Sequence, residues 1–164
     1  MKTTGTREWA ESNVNCVTGC IHDCRYCYAR TMLVRTRYVE AENWNKPVVR
    51  QHEVDKTRRK AAGTIMFPSS HDITPEVYDG CLEVLKKLLK AENDVLIVSK
   101  PHLSVIRRLL VDLAEYKEQI QFRFTIGVID ERVRMDWEPR APSFDERLAC
   151  LRLAYDAGWG TSVS

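Results

Sequence analysis

The sequence predicts an α/β fold in which parallel strands alternate with helices, the front part of a larger α/β barrel. Three observations predict it. Short apolar runs of strand length recur at residues 64–67, 95–98 and 120–126. Longer segments between them carry apolar residues at helical spacing. The last run, from Gly158 to Ser164, reads as a strand with no helix after it.

The elements follow in order. Asn13-Val14-Asn15-Cys16-Val17 supplies a first strand, a cysteine-rich loop follows, and a helix covers residues 26–36. Residues 40–62 read as a polar excursion with Pro47 and the basic run Lys56-Thr57-Arg58-Arg59-Lys60. Gly63 then precedes the compact second strand, Thr64-Ile65-Met66-Phe67. Thr74-Pro75-Glu76 opens a helix. Thr74 is its N-cap, Pro75 takes the first position, where no N–H is needed, and Glu76 faces the positive end of the helix dipole. Val77, Cys81, Leu85 and Leu88 form its apolar stripe. Val95-Leu96-Ile97-Val98 is the third strand, and a helix over 102–119 turns Val105, Leu109 and Leu113 inward. In the fourth strand Phe122, Phe124 and Ile126 alternate with Gln121, Arg123 and Thr125. A loop through Pro139 and Pro142 follows, where Glu138 and Arg140 are placed to pair. Ser143 caps a helix to Ala157 with Phe144, Leu148, Leu151 and Tyr155 as its apolar set. Strands and helices alternating at these lengths make βα units and a parallel sheet. No internal repeat or low-complexity stretch interrupts them. We expect one domain over residues 1–164, incomplete because it ends in the fifth strand. Its open apolar edge would be closed by a complementary C-terminal chain.

Composition narrows the class. With 164 residues and 44% hydrophobic content the chain can bury a core, and 29% charged residues do not suggest disorder. No apolar run reaches the ~18 residues of a membrane helix, and Met1 to Arg7 lack the apolar stretch of a secretory signal. The expectation is a cytoplasmic protein without membrane association. The net charge of +2 is uneven: residues 1–60 hold 12 basic and 7 acidic side chains, and residues 61–164 hold 13 and 16. The run at 56–60 reads as a solvated loop. A nucleic-acid contact is the second reading, because phosphate neutralisation needs clustered cations. Trp9, Trp44, Trp137 and Trp159 read as packing residues rather than base-stacking platforms.

Of six cysteines, Cys16, Cys20, Cys24 and Cys27 fall within twelve residues, apart from Cys81 and Cys150. Clustered thiols without a signal peptide point to metal rather than disulfides. The stretch Thr18-Gly19-Cys20-Ile21-His22-Asp23-Cys24-Arg25-Tyr26-Cys27-Tyr28-Ala29-Arg30 has the spacing C-x3-C-x2-C. Three thiolates on one loop can converge on one [4Fe–4S] cluster, which takes four when fully protected, so one iron stays open. Gly19 permits the tight turn into the loop. The rival is a structural zinc site with Cys16 as fourth ligand, in a non-enzymatic module; common zinc sites instead use two pairs separated by a longer stretch. Cys16 and Cys81 otherwise read as buried apolar residues. His22, between two of these cysteines, reads first as exposed and second as a group supporting the metal ligands. His71 and Asp72, at a strand end, read as substrate contacts or, for Asp72, a loop cap.

The cysteine stretch resembles the signature of the radical S-adenosylmethionine (SAM) superfamily in spacing, in Tyr26 before the last cysteine, and in its place between a first strand and a first helix. Thr18-Gly19-Cys20, Ser99-Lys100, Glu138-Pro139-Arg140-Ala141-Pro142 and Arg147-Leu148 resemble more narrowly the branch containing spore photoproduct lyase. The resemblance implies a partial (βα)6 TIM-like barrel with its C-terminal part missing. It implies a [4Fe–4S] cluster on Cys20, Cys24 and Cys27, and SAM chelated at the open iron and cleaved to a 5′-deoxyadenosyl radical. A reductant such as a ferredoxin or flavodoxin is the implied partner. It also implies SAM contacts at strand ends: Lys100 to the carboxylate, Ser69, Ser70 and Thr125 to polar groups of methionine and ribose, and the Tyr26 backbone to adenine. Two departures stand out. Pro68-Ser69-Ser70-His71-Asp72 replaces the Gly-Gly-Glu of many members, and no cysteine stands where photoproduct lyases keep a hydrogen donor. That second departure argues against lesion reversal by the same route.

Overall fold

The computed structural model describes residues 5–164; the first four, part of the segment read as lacking a signal, lie outside the described residues. The elements run β1 (Ser12–Asn13), β2 (Val17–Thr18), α1 (Tyr28–Arg35), β3 (Val48–Val49), α2 (Gln51–Asp55), β4 (Ile65–Phe67), α3 (Tyr78–Lys90), β5 (Val95–Ser99), α4 (Leu103–Asp112), β6 (Ile120–Phe124), α5 (Glu131–Trp137), α6 (Phe144–Asp156) and β7 (Gly160–Val163). Five strands form one sheet in the order β1-β4-β5-β6-β7, every neighbouring pair parallel. This is the partial α/β barrel topology expected.

Alternation along the strands divides the sheet. Ile65, Phe67, Val95, Ile97, Phe122 and Phe124 point to one face and pack against Val84, Leu85, Leu88, Val105 and Leu109 of the helices. Met66, Leu96 and Val98 point to the other, where Ala10 covers them. The stripes expected on α3 and α4 are buried: Val77, Cys81, Leu85 and Leu88 on the first, Val105 and Leu109 on the second, with Leu113 just beyond it.

Several expectations need correction. The first strand is not one element over 13–17. Only Ser12–Asn13 joins the main sheet, while Val17–Thr18 pairs antiparallel with Val48–Val49. The 40–62 excursion is therefore partly ordered ribbon and helix, and it buries Trp44 and Val54. The helix expected over 102–119 ends at Asp112, and a 3-10 stretch (Ala114–Gln119) continues it. Thr74 stands at an N-cap, but its hydroxyl caps no backbone N–H. The loop expected before Ser143 contains α5. Ser143 does cap α6, accepting from Glu146 N, yet the face turned inward is Arg147, Cys150 and Ala154, and Tyr155 is exposed. Trp44 and Trp159 are packing residues as expected, whereas Trp9 and Trp137 are half exposed. The Arg123 guanidinium lies 3.8 Å over the Trp9 ring.

Candidate functional site

The cysteine loop is held by backbone. Gly19 adopts φ +85°, and a Cβ there would lie 2.5 Å from the Trp44 carbonyl oxygen, so the close approach requires glycine. Cys20 N donates to that same carbonyl at 2.8 Å. On the far side of the loop Arg25 N donates to Trp137 O at 2.9 Å. Cys27 is the N-cap of α1, its sulfur accepting from Arg30 N. Cys20 and Cys24 are buried and Cys27 half-buried.

All three cysteines line one cavity of about 280 Å³. Tyr26, Ser69, Ser70, Lys100 and Thr125 line it too, together with Asp72, Ser99 and Trp44. Of these, Ser69, Ser70 and Asp72 follow β4, Ser99 and Lys100 stand at the end of β5 and Thr125 follows β6, the strand ends at which parallel α/β barrels build their sites. The serine turn is fixed by Asn15, whose Oδ1 accepts from Ser69 N at 2.8 Å and Ser70 N at 2.9 Å. Thr125 N donates to Ser99 O at 2.8 Å. Lys100 Nζ stands 3.9 Å from Glu138 Oε1 and 5.6 Å from the centre of the Tyr26 ring, whose hydroxyl donates to Glu138.

The electrostatics suit an anion beside Lys100, while the buried thiols must lose their protons before they bind a metal. Burial pushes the Cys20 thiol up to about 12 and the Cys24 thiol up to about 11, so both are protonated at neutral pH until a metal displaces the proton. Burial also works against the Lys100 ammonium, but Asp72, Cys24, Tyr26 and Glu138 outweigh it and hold its pKa above the ordinary value. The Ser99 hydroxyl and the Trp44 indole N–H are buried without partners, and both residues line the cavity. Such orphaned groups fit a site whose polar occupant satisfies them.

Two sites differ from expectation. His22 is fully buried, not exposed: Nδ1 lies 2.9 Å from Asp72 Oδ2 and Nε2 lies 2.8 Å from His102 Nε2. Glu138 does not pair with Arg140, which is exposed; it is buried against Arg147, and this pair lies beside the cavity. Cys16 is buried, with its sulfur 3.8 Å from that of Cys81 and its N–H donating to His71 Nε2. Among the described residues the tight group of metal-ligating atoms is Cys20, His22 and Asp72, within 4.8 Å of one another. Trp44 carried no periodic or spacing signal that marked it for this cavity, whereas His71, Asp72 and Ser99 were marked by their strand-end positions.

The chain is 30% identical over 167 residues to the uncharacterized protein ORF301 of Acidianus two-tailed virus, covering 94% of this chain and 54% of that protein. It is 26% identical over 148 residues to the uncharacterized protein MJ0683 of Methanocaldococcus jannaschii, covering 88% and 55%. The chain thus spans about half the length of the curated relatives it matches. Among solved structures, a cysteine-to-serine mutant of spore photoproduct lyase superposes with a TM-score of 0.62 at 23% identity, covering 99% of this chain and 47% of that one. A cysteine-to-alanine mutant gives 0.55 at 21%, covering 93% and 49%. These likenesses show the fold. No helix among the described residues is long and apolar enough to cross a membrane. The sequence profile of the radical SAM superfamily matches residues 14–164, and the chain belongs to that superfamily.

Proposed function

We propose that the chain is a radical SAM enzyme, or the part of one that holds its cofactors, with a [4Fe–4S] cluster on Cys20, Cys24 and Cys27 and SAM beside it. The observation that carries this reading is the single cavity that gathers the three cysteines with Tyr26, Ser69, Ser70, Lys100 and Thr125. Cys20, Cys24 and Cys27 would hold a cluster with one open iron, and such a cluster, reduced by a ferredoxin or flavodoxin, would supply the one-electron chemistry that splits SAM into methionine and a hydrogen-abstracting 5′-deoxyadenosyl radical. Lys100, cationic and mostly buried, offers its charge to the SAM carboxylate. The hydroxyls of Ser69, Ser70 and Thr125 are placed for polar groups of methionine and ribose, and the Tyr26 backbone for adenine. Trp44, Met66 and Val98 line the same space and keep water from it.

The zinc reading finds less support. Its fourth ligand, Cys16, is buried against Cys81.

Anaerobic iron–sulfur reconstitution followed by low-temperature EPR tests the reading. We expect a reduced [4Fe–4S] signal that changes when SAM is added, and SAM cleavage that Cys24→Ala abolishes. Failure to take up iron with tight retention of zinc, or normal cleavage by Cys24→Ala, would overturn it.

A further inference from the structure

We propose that His22 is a positioning residue that sets the cysteine loop against the SAM-binding strand ends through the carboxylate of Asp72. The inference rests on reading the cavity as a cluster and SAM site. His22 falls between two of the proposed ligands in sequence, yet it is fully buried and both ring nitrogens are engaged. Asp72 divides its two oxygens: Oδ2 meets His22 Nδ1 at 2.9 Å, and Oδ1 accepts from Lys100 N at 2.8 Å. A carboxylate only accepts, so His22 donates from Nδ1 to Asp72, while Nε2 faces His102 Nε2 at the start of α4. Asp72 has little freedom to move. The turn before it is tied to Asn15 through Ser69 N and Ser70 N, and His71 accepts from Cys16 N. One carboxylate therefore fixes both the loop that carries Cys20 and Cys24 and the backbone that carries Lys100. The place of Lys100 relative to the cysteine loop follows from that geometry.

The test is an EPR titration of the reduced, cluster-loaded protein with SAM. His22→Ala should raise the SAM concentration for half the spectral change by about tenfold or more, as loss of one hydrogen bond to a charged group implies. His22→Asn keeps an N–H where Nδ1–H stands and should titrate within about threefold of wild type. His22→Gln carries its amide to the Nε2 position instead and should resemble His22→Ala. If His22→Ala fails to hold iron, the contrast between the Asn and Gln variants decides. Variants that all titrate like wild type, or an iron-loaded Asn variant as impaired as Ala, overturn the clamp alone. A wild-type protein that holds the cluster but shows no SAM-dependent change overturns the reading of the cavity and this inference with it.

Discussion

Glu138 has three partners where water does not reach. It is fully buried, pairs with Arg147, accepts from the Tyr26 hydroxyl and lies 3.9 Å from Lys100 Nζ. Arg147, itself buried, also donates to Pro142 O at 2.8 Å and Thr125 O at 3.3 Å. Removing one member of such a pair leaves an uncompensated buried charge, so Glu138→Gln should cost about 3 kcal/mol in urea unfolding at neutral pH. The pH dependence has a definite sign. Burial raises the Glu138 pKa, but the bonds from Tyr26 and Arg147 and the charge of Lys100 overcome it and hold the group below its ordinary 4.5. Its contribution is complete above pH 4.5 and is lost as pH falls through the folded value. Stability measured across that acid range should fall less steeply in Glu138→Gln than in wild type; parallel slopes would show that Glu138 carries no such linkage. At this scale the cysteines, the need for glycine at Gly19 and the strand-end positions of Lys100, Ser69, Ser70 and Thr125 were legible, because each depends on local spacing. His22 and Glu138 were not, because their burial depends on Asp72 and Tyr26, 50 and 112 residues away in sequence.

Helices with an apolar stripe were found, and helices held by polar contacts were missed or mis-phased. In α3 the stripe Val77, Cys81, Leu85 and Leu88 is the buried face. In α6 the larger apolar side chains suggested Phe144, Leu148, Leu151 and Tyr155, yet the inner face is Arg147, Cys150 and Ala154. The cause is Arg147: a guanidinium reads as solvent-facing until Glu138 neutralises it. α5 has no stripe at all; it buries only Arg134 and leaves Val133, Met135 and Trp137 exposed. What holds it is Asp130, which accepts from Arg132 N at 2.8 Å and Val133 N at 3.3 Å, and Arg134, which donates to Glu138 O and Ala141 O. With so little packing the cap matters more than usual. Asp130→Ala should cost about 1 kcal/mol, seen as about fivefold faster hydrogen exchange of the amides in 131–137 with β5 unaffected. Unchanged exchange in α5 would mean that Arg134 alone suffices.

Over the whole molecule the parallel order of the main sheet was legible because βα units admit few topologies. The small β2–β3 ribbon was not, since two-residue strands carry no period to read. The basic run at 56–60 reads first as a solvated loop and second as a phosphate track, and its cations are largely engaged within the chain. Lys56 Nζ lies 2.6 Å from Glu53 Oε1, Arg58 Nη2 donates to Glu53 O at 2.7 Å, and Lys60 Nζ donates to Glu92 O. A phosphate backbone must compete with these partners before it gains anything from the run. Few counterions would then be released on binding. We expect affinity for a mixed-sequence duplex to fall with log salt at a slope shallower than about −2, whereas a track of several phosphate contacts gives slopes of about −5 or steeper. Replacing Lys56, Arg58 and Lys60 together by alanine should leave that weak binding within about twofold. A steep slope that flattens in the triple variant would instead make this run a nucleic-acid surface.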